Sequence, residues 1–496
     1  MLKLYRKLER TRQICTRAKS TLTSKSTIKA TSERILGQPT GDSHPHLLNE
    51  GEVTQLLNKR EYENRRIKLA ESVAEYSIKN GLKSKNHMIV IPAATTQYMS
   101  GKIPYVFRQN TEFLYLTGCL EPDCCFVMTT NGNSDFSTTV FTRNRDPHAE
   151  MWDGPRTRPD DVREFFGIDR GLPISELEDF IGAYFRRASE VNIWYDYLTP
   201  IQNKVHSIVQ KLMGDSLNKA WENPKPLIQR LRLIKSPSEA ALMQKTCDIA
   251  SEALVHTMGA SRPGVLESEL YAKFEYECKM KGAQFLAYPP VIAGGSRSTI
   301  IHYVNNNQVV NDEEILLMDG GCEYHGYSSD ITRTWPINGK FTAEQRELYQ
   351  VVYEINEDLI EACREFPKLD HLFEKMCYLL GTKLQSLGLV SKNQSDADLM
   401  KTAYQLCPHH VSHYLGMDVH DTPTVNRNIQ IKPGMVVTIE PGIYISKNNT
   451  LFPEKYRGIG IRIEDDVLIT ENGPIVLTKN CPKYIEDVEK ISNKNA

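Results

Sequence analysis

The order of apolar and polar residues along the chain predicts two regions of different character. From about residue 61 a helical pattern gives way to strand-like apolar runs at 87–94, 111–118, 124–130, 137–142 and 191–198, with a helix between them. Alternation of helices and strands is typical of an α/β unit. We therefore expect an α/β domain over residues 61–225.

The second region opens with a strong helix start. Ser236, Pro237 and Glu239 supply an N-cap, a proline at the first helical position and a capping-box acid, so a long helix is predicted to run to about Met258. Further helices are expected near 267–281, 342–364 and 369–387, with strands over 285–336 and from about 411 to 470. This arrangement predicts an α+β domain over 226–490.

Length and composition agree with two folded domains. The chain has 496 residues, and single cores stop growing near roughly 250–300 residues. A 40% hydrophobic content and a net charge of -2 favour neither nucleic acid nor a membrane surface as a partner. No apolar run reaches the roughly 18 residues that a membrane span needs. Eleven scattered cysteines indicate buried thiols in a reducing compartment.

The first 36 residues differ from the rest. They carry ten Lys or Arg residues against Glu9 and Glu33, and Leu2, Leu4 and Leu8 lie close to one face of a basic amphipathic helix. Mitochondrial import presequences have this form, and a disordered basic tail is the alternative. We expect a presequence over 1–36, a linker over 37–60, and a mature protein in the mitochondrial matrix, with the cytoplasm as a second location.

Two aspartates are predicted to lie together on a hairpin in the second region. Residues 314–335 have the pattern of two strands around a turn. If the turn centres on Tyr324 and His325, Asp319 and Asp330 fall directly opposite one another, with Cβ atoms about 4.5–5.5 Å apart. Two like charges at that distance are unfavourable unless a cation lies between them.

Two glutamates and a histidine cluster extend this candidate site. Glu440 ends an apolar strand, and Arg462 and Glu464 fall on one face of a later strand. Between the aspartates and these strands, residues 407–421 contain four histidines. Each acid taken alone is more often a strand cap or an ion-pair member. Together they predict a ligand set for two metal ions.

The ligand chemistry narrows the metal and the reaction. Four carboxylates and one imidazole form a hard, oxygen-rich site suited to two Mn²⁺ ions, with Co²⁺ or Zn²⁺ tolerated. Two ions about 3.5–4 Å apart can share a bridging hydroxide whose pKa falls toward neutrality. The sequence therefore predicts metal-assisted hydrolysis.

The motifs around these residues resemble those of the superfamily that contains methionine aminopeptidase, aminopeptidase P and prolidase. The resemblance is carried by MDGG, SSDITRT, SHYLGMDVHD, TIEPGIY and RIEDD, and the strings AYPPVIAGG, WDGPR and GIGIRIEDDVL are similar to the mitochondrial aminopeptidase P branch. It covers the chain from about residue 36 onward. It implies an α+β fold, with a pita-bread catalytic domain preceded by an α/β creatinase-like N-terminal domain.

The resemblance also implies a role for individual residues. The metal ligands would be Asp319, Asp330, His413, Glu440 and Glu464, with Asp330 and Glu464 bridging both ions. Glu440 would also shuttle protons, and His302 and His420 would contact the substrate and act in catalysis. The remaining residues implied to line or brace the site are Tyr288, His409, Tyr444 and Arg462. His410 is expected to be structural.

The activity implied by the resemblance is release of a single N-terminal residue, preferentially before proline. An imide bond before proline has no N–H and a fixed φ, which excludes most other peptidases. The expected partners are peptide or protein N-termini, including imported mitochondrial proteins that would be trimmed, and a second copy of the chain in a homodimer. An Xaa-Pro dipeptidase and a non-catalytic binding protein on the same fold remain as alternatives.

Overall fold

The structure is a computed structural model that describes residues 36–131, 135–188, 190–214 and 219–493. The chain divides into two compact units, Met1–Leu227 and Ile228–Ala496. Apart from its last residue, the predicted presequence lies outside the described residues. Across the described ranges, the helices are all too short or too polar to cross a membrane.

The first unit is built on a six-stranded mixed sheet in the order β10-β9-β3-β6-β7-β8. The strands are β1 (Glu52–Thr54), β2 (Leu57–Asn58), β3 (His87–Pro92), β4 (Tyr98–Ser100), β5 (Ile103–Pro104), β6 (Cys125–Thr130), β7 (Phe136–Thr142), β8 (Arg170–Pro173), β9 (Val191–Trp194) and β10 (Lys219–Glu222). The helices are α1 (Lys59–Lys79), α2 (Thr111–Thr117), α3 (Pro147–Asp153), α4 (Val162–Phe166), α5 (Leu177–Arg187) and α6 (Asn203–Gly214). Apolar side chains of β3, β6 and β9 form its core with those of α5 and α6.

The run at 111–118, expected to be a strand, is helix α2. The side chain of Asn110 accepts a hydrogen bond from the N–H of Glu112 and caps the start of the helix. Gly118 ends the helix in the left-handed conformation, with φ of 71°. Its apolar residues are buried on nearly every side, so they show no helical periodicity, and the two caps decide the conformation.

The stretch expected to be a linker is a folded part of the first unit. The Gln38 side chain donates to the carbonyl of Gly118 over 3.1 Å and accepts from the N–H of Leu120 over 2.7 Å. Strands β1 and β2 then form a short hairpin that leads into α1. The polar, Gly-rich composition of residues 37–52 therefore reflects turns. Hydrogen bonds such as those of Gln38 hold this segment against the rest of the first unit.

The second unit combines long helices with four small sheets. The helices are α7 (Lys225–Leu233), within which the boundary between the units falls, α8 (Pro237–Gly259), α9 (Glu267–Met280), α10 (Ala343–Ala362), α11 (Leu369–Ser386), α12 (Asp396–Leu406) and α13 (Ile485–Ser492). The strands are β11 (Phe285–Leu286), β12 (Val291–Gly294), β13 (Ile315–Asp319), β14 (Cys322–Tyr324), β15 (Tyr327–Ser328), β16 (Thr332–Pro336), β17 (Val436–Ile439), β18 (Gly442–Ile445), β19 (Ile459–Arg462), β20 (Asp465–Thr470) and β21 (Gly473–Val476). The sheets have the orders β12-β13-β16, β17-β20-β21, β11-β14-β15 and β18-β19.

Most elements of this unit follow the sequence prediction. The capping box at Ser236 and Glu239 is present and starts α8 at Pro237. Helices α9, α10 and α11 also begin and end close to the predicted positions. Two differences stand out: helix α12 was not predicted, and residues 411–435 contain no strand. Part of this loop runs beside β17, where His413 accepts the backbone N–H of Thr438 and Val411 accepts that of Glu440, the residue after the strand.

The hairpin that carries the two aspartates has a register two residues away from the one predicted. His325 and Gly326 both have positive φ, 49° and 78°, and form its turn. Tyr324 therefore pairs with Tyr327, and Asp319 pairs with Thr332 instead of Asp330. The shift keeps the side chains on the same faces because the strand period is two residues.

Candidate metal centre

Five side chains predicted to bind metal lie together at the ends of strands in the second unit. Asp319 is the last residue of β13, Asp330 precedes β16, Glu440 follows β17 and Glu464 precedes β20. His413 lies in the loop beside β17, where its carbonyl accepts the N–H of Thr438 over 3.0 Å. Because the strands are rigid, the side chains at their ends are held in fixed positions and can face one another across a small site.

The distances between donor atoms are those of a compact cluster. His413 Nε2 is 3.3 Å from Asp330 Oδ2 and 3.7 Å from Glu440 Oε1. Asp330, His413 and Glu464 each offer one ligand atom within 4.8 Å of the others. Asp319 joins the cluster through Tyr288, whose hydroxyl oxygen is 2.5 Å from a carboxylate oxygen of both Asp319 and Asp330.

Burial and mutual repulsion perturb the acids of this cluster. Burial raises the pKa of Glu440 to about 7, although the charge of His413 opposes the shift. Burial and the neighbouring carboxylates raise the pKa of Glu464 well above its usual value. Burial alone would lower the pKa of His413, but its hydrogen bond to Asp330 and the charge of Glu440 raise it to about 9.

This donor set fits divalent cations. Four carboxylates surround a small space. Among the described residues, the basic side chains that contact them are His413, Arg462 and His409. Buried carboxylates of this kind are stabilised by a bound metal ion, which keeps them ionised. The oxygen-rich composition suits hard or borderline metals.

Arg462 contacts one side of the cluster through three hydrogen bonds. Its Nη2 donates to Asp319 Oδ2 over 2.6 Å and its Nη1 donates to the Tyr444 hydroxyl over 2.8 Å. Its Nε donates to Thr332 Oγ1 over 3.1 Å, and the Thr332 hydroxyl in turn donates to Glu464 over 2.7 Å. Two of the candidate ligands are thus oriented by one guanidinium.

His409 lies against the cluster through Tyr444. Its Nε2 is 2.8 Å from the Tyr444 hydroxyl, and its Nδ1 is 3.4 Å from Glu440 Oε2. Burial, together with the charge of Arg462, lowers the pKa of His409 to about 4. A neutral imidazole at this position can accept the Tyr444 hydrogen bond and line the site.

His420 and His302 are exposed and lie near the same cluster. The ring of His420 contacts that of His413 edge to face, with centroids 4.6 Å apart. Although part of the His420 ring is exposed, partial desolvation by the surrounding protein, followed by the charge of His413, lowers its pKa. The charge of His302 also acts on His409 and His420. His420 therefore lies directly beside the cluster, and His302 lies within electrostatic range of His409 and His420.

His410 has the structural environment that was expected of it. Its ring stacks on Phe373 with centroids 5.1 Å apart, and its Nδ1 lies 2.6 Å from the Ser412 carbonyl oxygen. Its Nε2 is 3.5 Å from Asp370 on helix α11. None of these contacts involves the carboxylate cluster.

Two residues of the site were missed by the sequence reasoning. Thr332 links Arg462 to Glu464, and Asp466 accepts the backbone N–H of Asp330 over 3.0 Å. Both lie two residues from a candidate ligand and so face the same side of their strand. The sequence feature that could have identified them is a second polar residue, two positions after a predicted ligand, within an otherwise apolar strand.

Comparisons with known proteins agree with this geometry. Residues 241–471 match metallopeptidase family M24, and residues 62–194 match the N-terminal domain of aminopeptidase P. The chain is 44% identical to mouse Xaa-Pro aminopeptidase 3 over 95% of this chain and 93% of that protein. It is 38% identical to the mitochondrial intermediate cleaving peptidase 55 of Arabidopsis thaliana over 99% of this chain and 93% of that protein.

A solved structure extends the likeness to the fold. Aminopeptidase P from E. coli with the inhibitor Pro-Leu aligns with a TM-score of 0.78 at 31% identity, covering 88% of this chain and 98% of that one. The expected fold is confirmed: an aminopeptidase P N-terminal domain is followed in the sequence by a pita-bread catalytic domain. The chain belongs to metallopeptidase family M24 and is a hydrolase of the Xaa-Pro aminopeptidase class.

Proposed function

We propose that this aminopeptidase works through two metal ions, Mn²⁺ in the native protein, held by the five clustered side chains. The side chains that would hold these ions are Asp319, Asp330, His413, Glu440 and Glu464. The observation that supports this most directly is the gathering of Asp330, Glu440 and Glu464 around His413, with Asp319 joined to Asp330 through Tyr288. When bound, the metal ions supply Lewis acidity to a water molecule and to the scissile carbonyl.

Glu440 is proposed to move the proton. Burial raises the pKa of this carboxyl group to about 7 in the metal-free site, and a carboxyl group inside the cluster is placed to accept a proton and pass it on. It would take a proton from the attacking water and give it to the departing imino nitrogen of proline. Glu440 Oε2 is 3.4 Å from His409 Nδ1 and its Oε1 is 3.7 Å from His413 Nε2, so the carboxylate lies between two imidazoles.

His420 and His302 are proposed to bind the peptide around the scissile bond. Both imidazoles are exposed next to the cluster, where a donated hydrogen bond can stabilise the charge that develops on the carbonyl oxygen. Removing such a donor commonly costs about 3–4 kcal/mol of transition-state stabilisation. Tyr288, Tyr444 and His409 would form the wall against which the substrate lies.

The proposed substrates are peptide and protein N-termini in the mitochondrial matrix, where this protein would remove one residue from imported chains. The basic, acid-poor sequence before residue 36 and the likeness to a mitochondrial intermediate cleaving peptidase support this location. The cytoplasm is a second proposed location. We also propose a homodimer; the exposed apolar side chains of Tyr98, Met99 and Ile103 on hairpin β4–β5 are consistent with an interface.

A peptide panel tests the function. Purified protein loaded with Mn²⁺ is incubated with peptides that vary the second residue and the length, and the products are measured by mass spectrometry. We expect release of the first residue from Xaa-Pro tripeptides and longer chains. Cleavage of Xaa-Pro dipeptides alone would favour a dipeptidase instead, and no cleavage at all would favour a binding protein.

Matched variants test the residue assignments. Glu440→Ala and His413→Ala are expected to lose at least about 100-fold in kcat, since each removes a ligand or proton carrier. Glu471→Ala makes the same chemical change at an exposed position and is expected to retain full activity. Full activity of either site variant would show that the assigned cluster is not the catalytic centre.

A further inference from the structure

A buried ion cluster lies behind the loop that carries His413 and His420. It consists of Arg232 from helix α7, Lys235 from the turn after it, and Asp418 and Asp421 from the loop, and we call it the Asp421 cluster. The side chains of Arg232, Lys235 and Asp421 are each 1% exposed. None of the four belongs to the proposed ligand set.

Arg232 and Lys235 hold Asp421 from two sides. Arg232 donates from Nη2 to Asp421 Oδ1, and the same nitrogen is 2.7 Å from Asp418 Oδ2. Lys235 Nζ lies 3.4 Å from the other oxygen, Asp421 Oδ2. Two cations therefore fix both oxygens of one buried carboxylate, which is a rigid arrangement.

The cluster is packed tightly against the loop backbone. Asp421 donates its N–H to the Tyr414 carbonyl over 2.9 Å, which closes residues 414–421 into a compact loop. A side chain at Gly416 would collide with the Asp421 carboxylate and the Lys235 ammonium group. The loop conformation and the position of the Asp421 side chain therefore depend on each other.

The two histidines at the ends of this loop are held differently. His413 is attached to β17 through Thr438, whose hydroxyl accepts the His413 N–H over 3.1 Å and whose own N–H bonds the His413 carbonyl. Within the described residues, the His420 imidazole makes no side-chain hydrogen bond, and its ring packs edge to face on that of His413. Its position is set by the backbone next to Asp421.

We propose that Arg232 and Lys235 are positioning residues that place the His420 imidazole for the peptide through Asp421. The inference rests on the proposed role of His420 in substrate binding. Arg232 contributes more because it contacts both loop aspartates, whereas Lys235 contacts one. The metal site does not depend on the cluster, because His413 has its own anchor on β17.

A double-mutant cycle tests this proposal. Arg232→Gln is expected to lower kcat/KM for an Xaa-Pro tripeptide about 10- to 100-fold, the effect of a misplaced catalytic geometry. In the His420→Ala background, Arg232→Gln is expected to lower kcat/KM less than about twofold, because the imidazole that Arg232 would position is already absent. Bound metal, measured by elemental analysis, is expected to stay at the wild-type amount.

Two further variants separate positioning from folding. Arg232→Lys retains the positive charge but lacks the planar set of guanidinium donors. It is expected to retain a higher kcat/KM than Arg232→Gln, and it takes the place of Arg232→Gln if that variant folds poorly. Arg262→Gln removes a partner from an exposed ion pair with Glu269 and is the control that should change nothing.

Three results would overturn the proposal. An equal loss from the Arg232 change with and without His420 would show that Arg232 acts elsewhere. Loss of bound metal in the folded Arg232→Lys variant would assign the cluster to the metal site. Full activity of His420→Ala alone would contradict the proposed function of His420 itself, and this inference would fall with it.

Discussion

Arg462 donates a hydrogen bond to Asp319 over 2.6 Å and, from its other terminal nitrogen, to the Tyr444 hydroxyl over 2.8 Å. Tyr444 in turn contacts His409, and His409 contacts Glu440. One chain of contacts therefore connects Asp319 and Glu440 around the cluster. A change in the middle of this chain should affect both ends.

Replacing Arg462 is expected to weaken metal binding. In Arg462→Lys the charge remains, but a single ammonium group cannot donate to Asp319, Tyr444 and Thr332 together. Metal affinity should fall about 10- to 100-fold, as for other residues that orient metal ligands, and titration calorimetry with Mn²⁺ measures it. Arg364→Lys, at a 49% exposed side chain, is the matched control. Unchanged affinity in Arg462→Lys would argue against the bracing role.

Removal of the metal is expected to abolish activity and lower stability. The site gathers four carboxylates whose repulsion a bound cation relieves. Free metal at about 100 times its Kd stabilises the folded state by about 2.7 kcal/mol. Dialysis against a chelator, followed by thermal unfolding and activity assays, tests this. Adding back Mn²⁺, Co²⁺ or Zn²⁺ separately then ranks the metals, and a chelated protein that stays fully active would contradict the assignment.

Acid is expected to destabilise the first unit through His87. This side chain is fully buried, its Nδ1 accepts a hydrogen bond from Trp194, and burial lowers its pKa to about 4. An unfolded histidine binds a proton near pH 6.5, so between pH 6.5 and 4 the unfolded state binds more protons. The free energy of unfolding should therefore fall by up to about 3 kcal/mol as the pH drops through this window.

The variant His87→Gln isolates this effect. Glutamine retains an acceptor for the Trp194 N–H but does not titrate in this range. Hydrogen exchange of first-unit peptides between pH 7 and 4 should show a smaller loss of protection in the variant than in the wild type. An identical pH dependence in both proteins would exclude His87 as its source.

Loss of the α8 cap is expected to destabilise the second unit modestly. Ser236 accepts the N–H of Glu239, and the Glu239 carboxylate accepts the N–H of Ser236. Ser236→Ala should lower the free energy of unfolding by about 1 kcal/mol, measurable by urea denaturation. Ser386→Ala, at an exposed position near the end of α11, should change it by less than about 0.5 kcal/mol.

Much of the second unit could be predicted because local signals agree with the fold there. The capping box fixed the start of α8, and the helical periods of α10 and α11 matched their observed bounds. Segment 111–118 failed because a fully buried short helix and a buried strand have the same apolar pattern. The hairpin register failed because the turn is formed by His325 and Gly326, both with positive φ, instead of Tyr324 and His325.

The sequence by itself determined the chemistry: four acids that interrupt apolar strands and one histidine-rich loop define which groups can bind metal. It did so because each residue type has fixed ligand chemistry and strand alternation sets the face on which it lies. Only the tertiary structure decided which neighbours hold these groups. Thr332 is more than 100 residues from Arg462 and Glu464, the two residues that it links. Arg232 is likewise more than 100 residues from Asp421. Such contacts depend on three-dimensional packing, which no local pattern encodes.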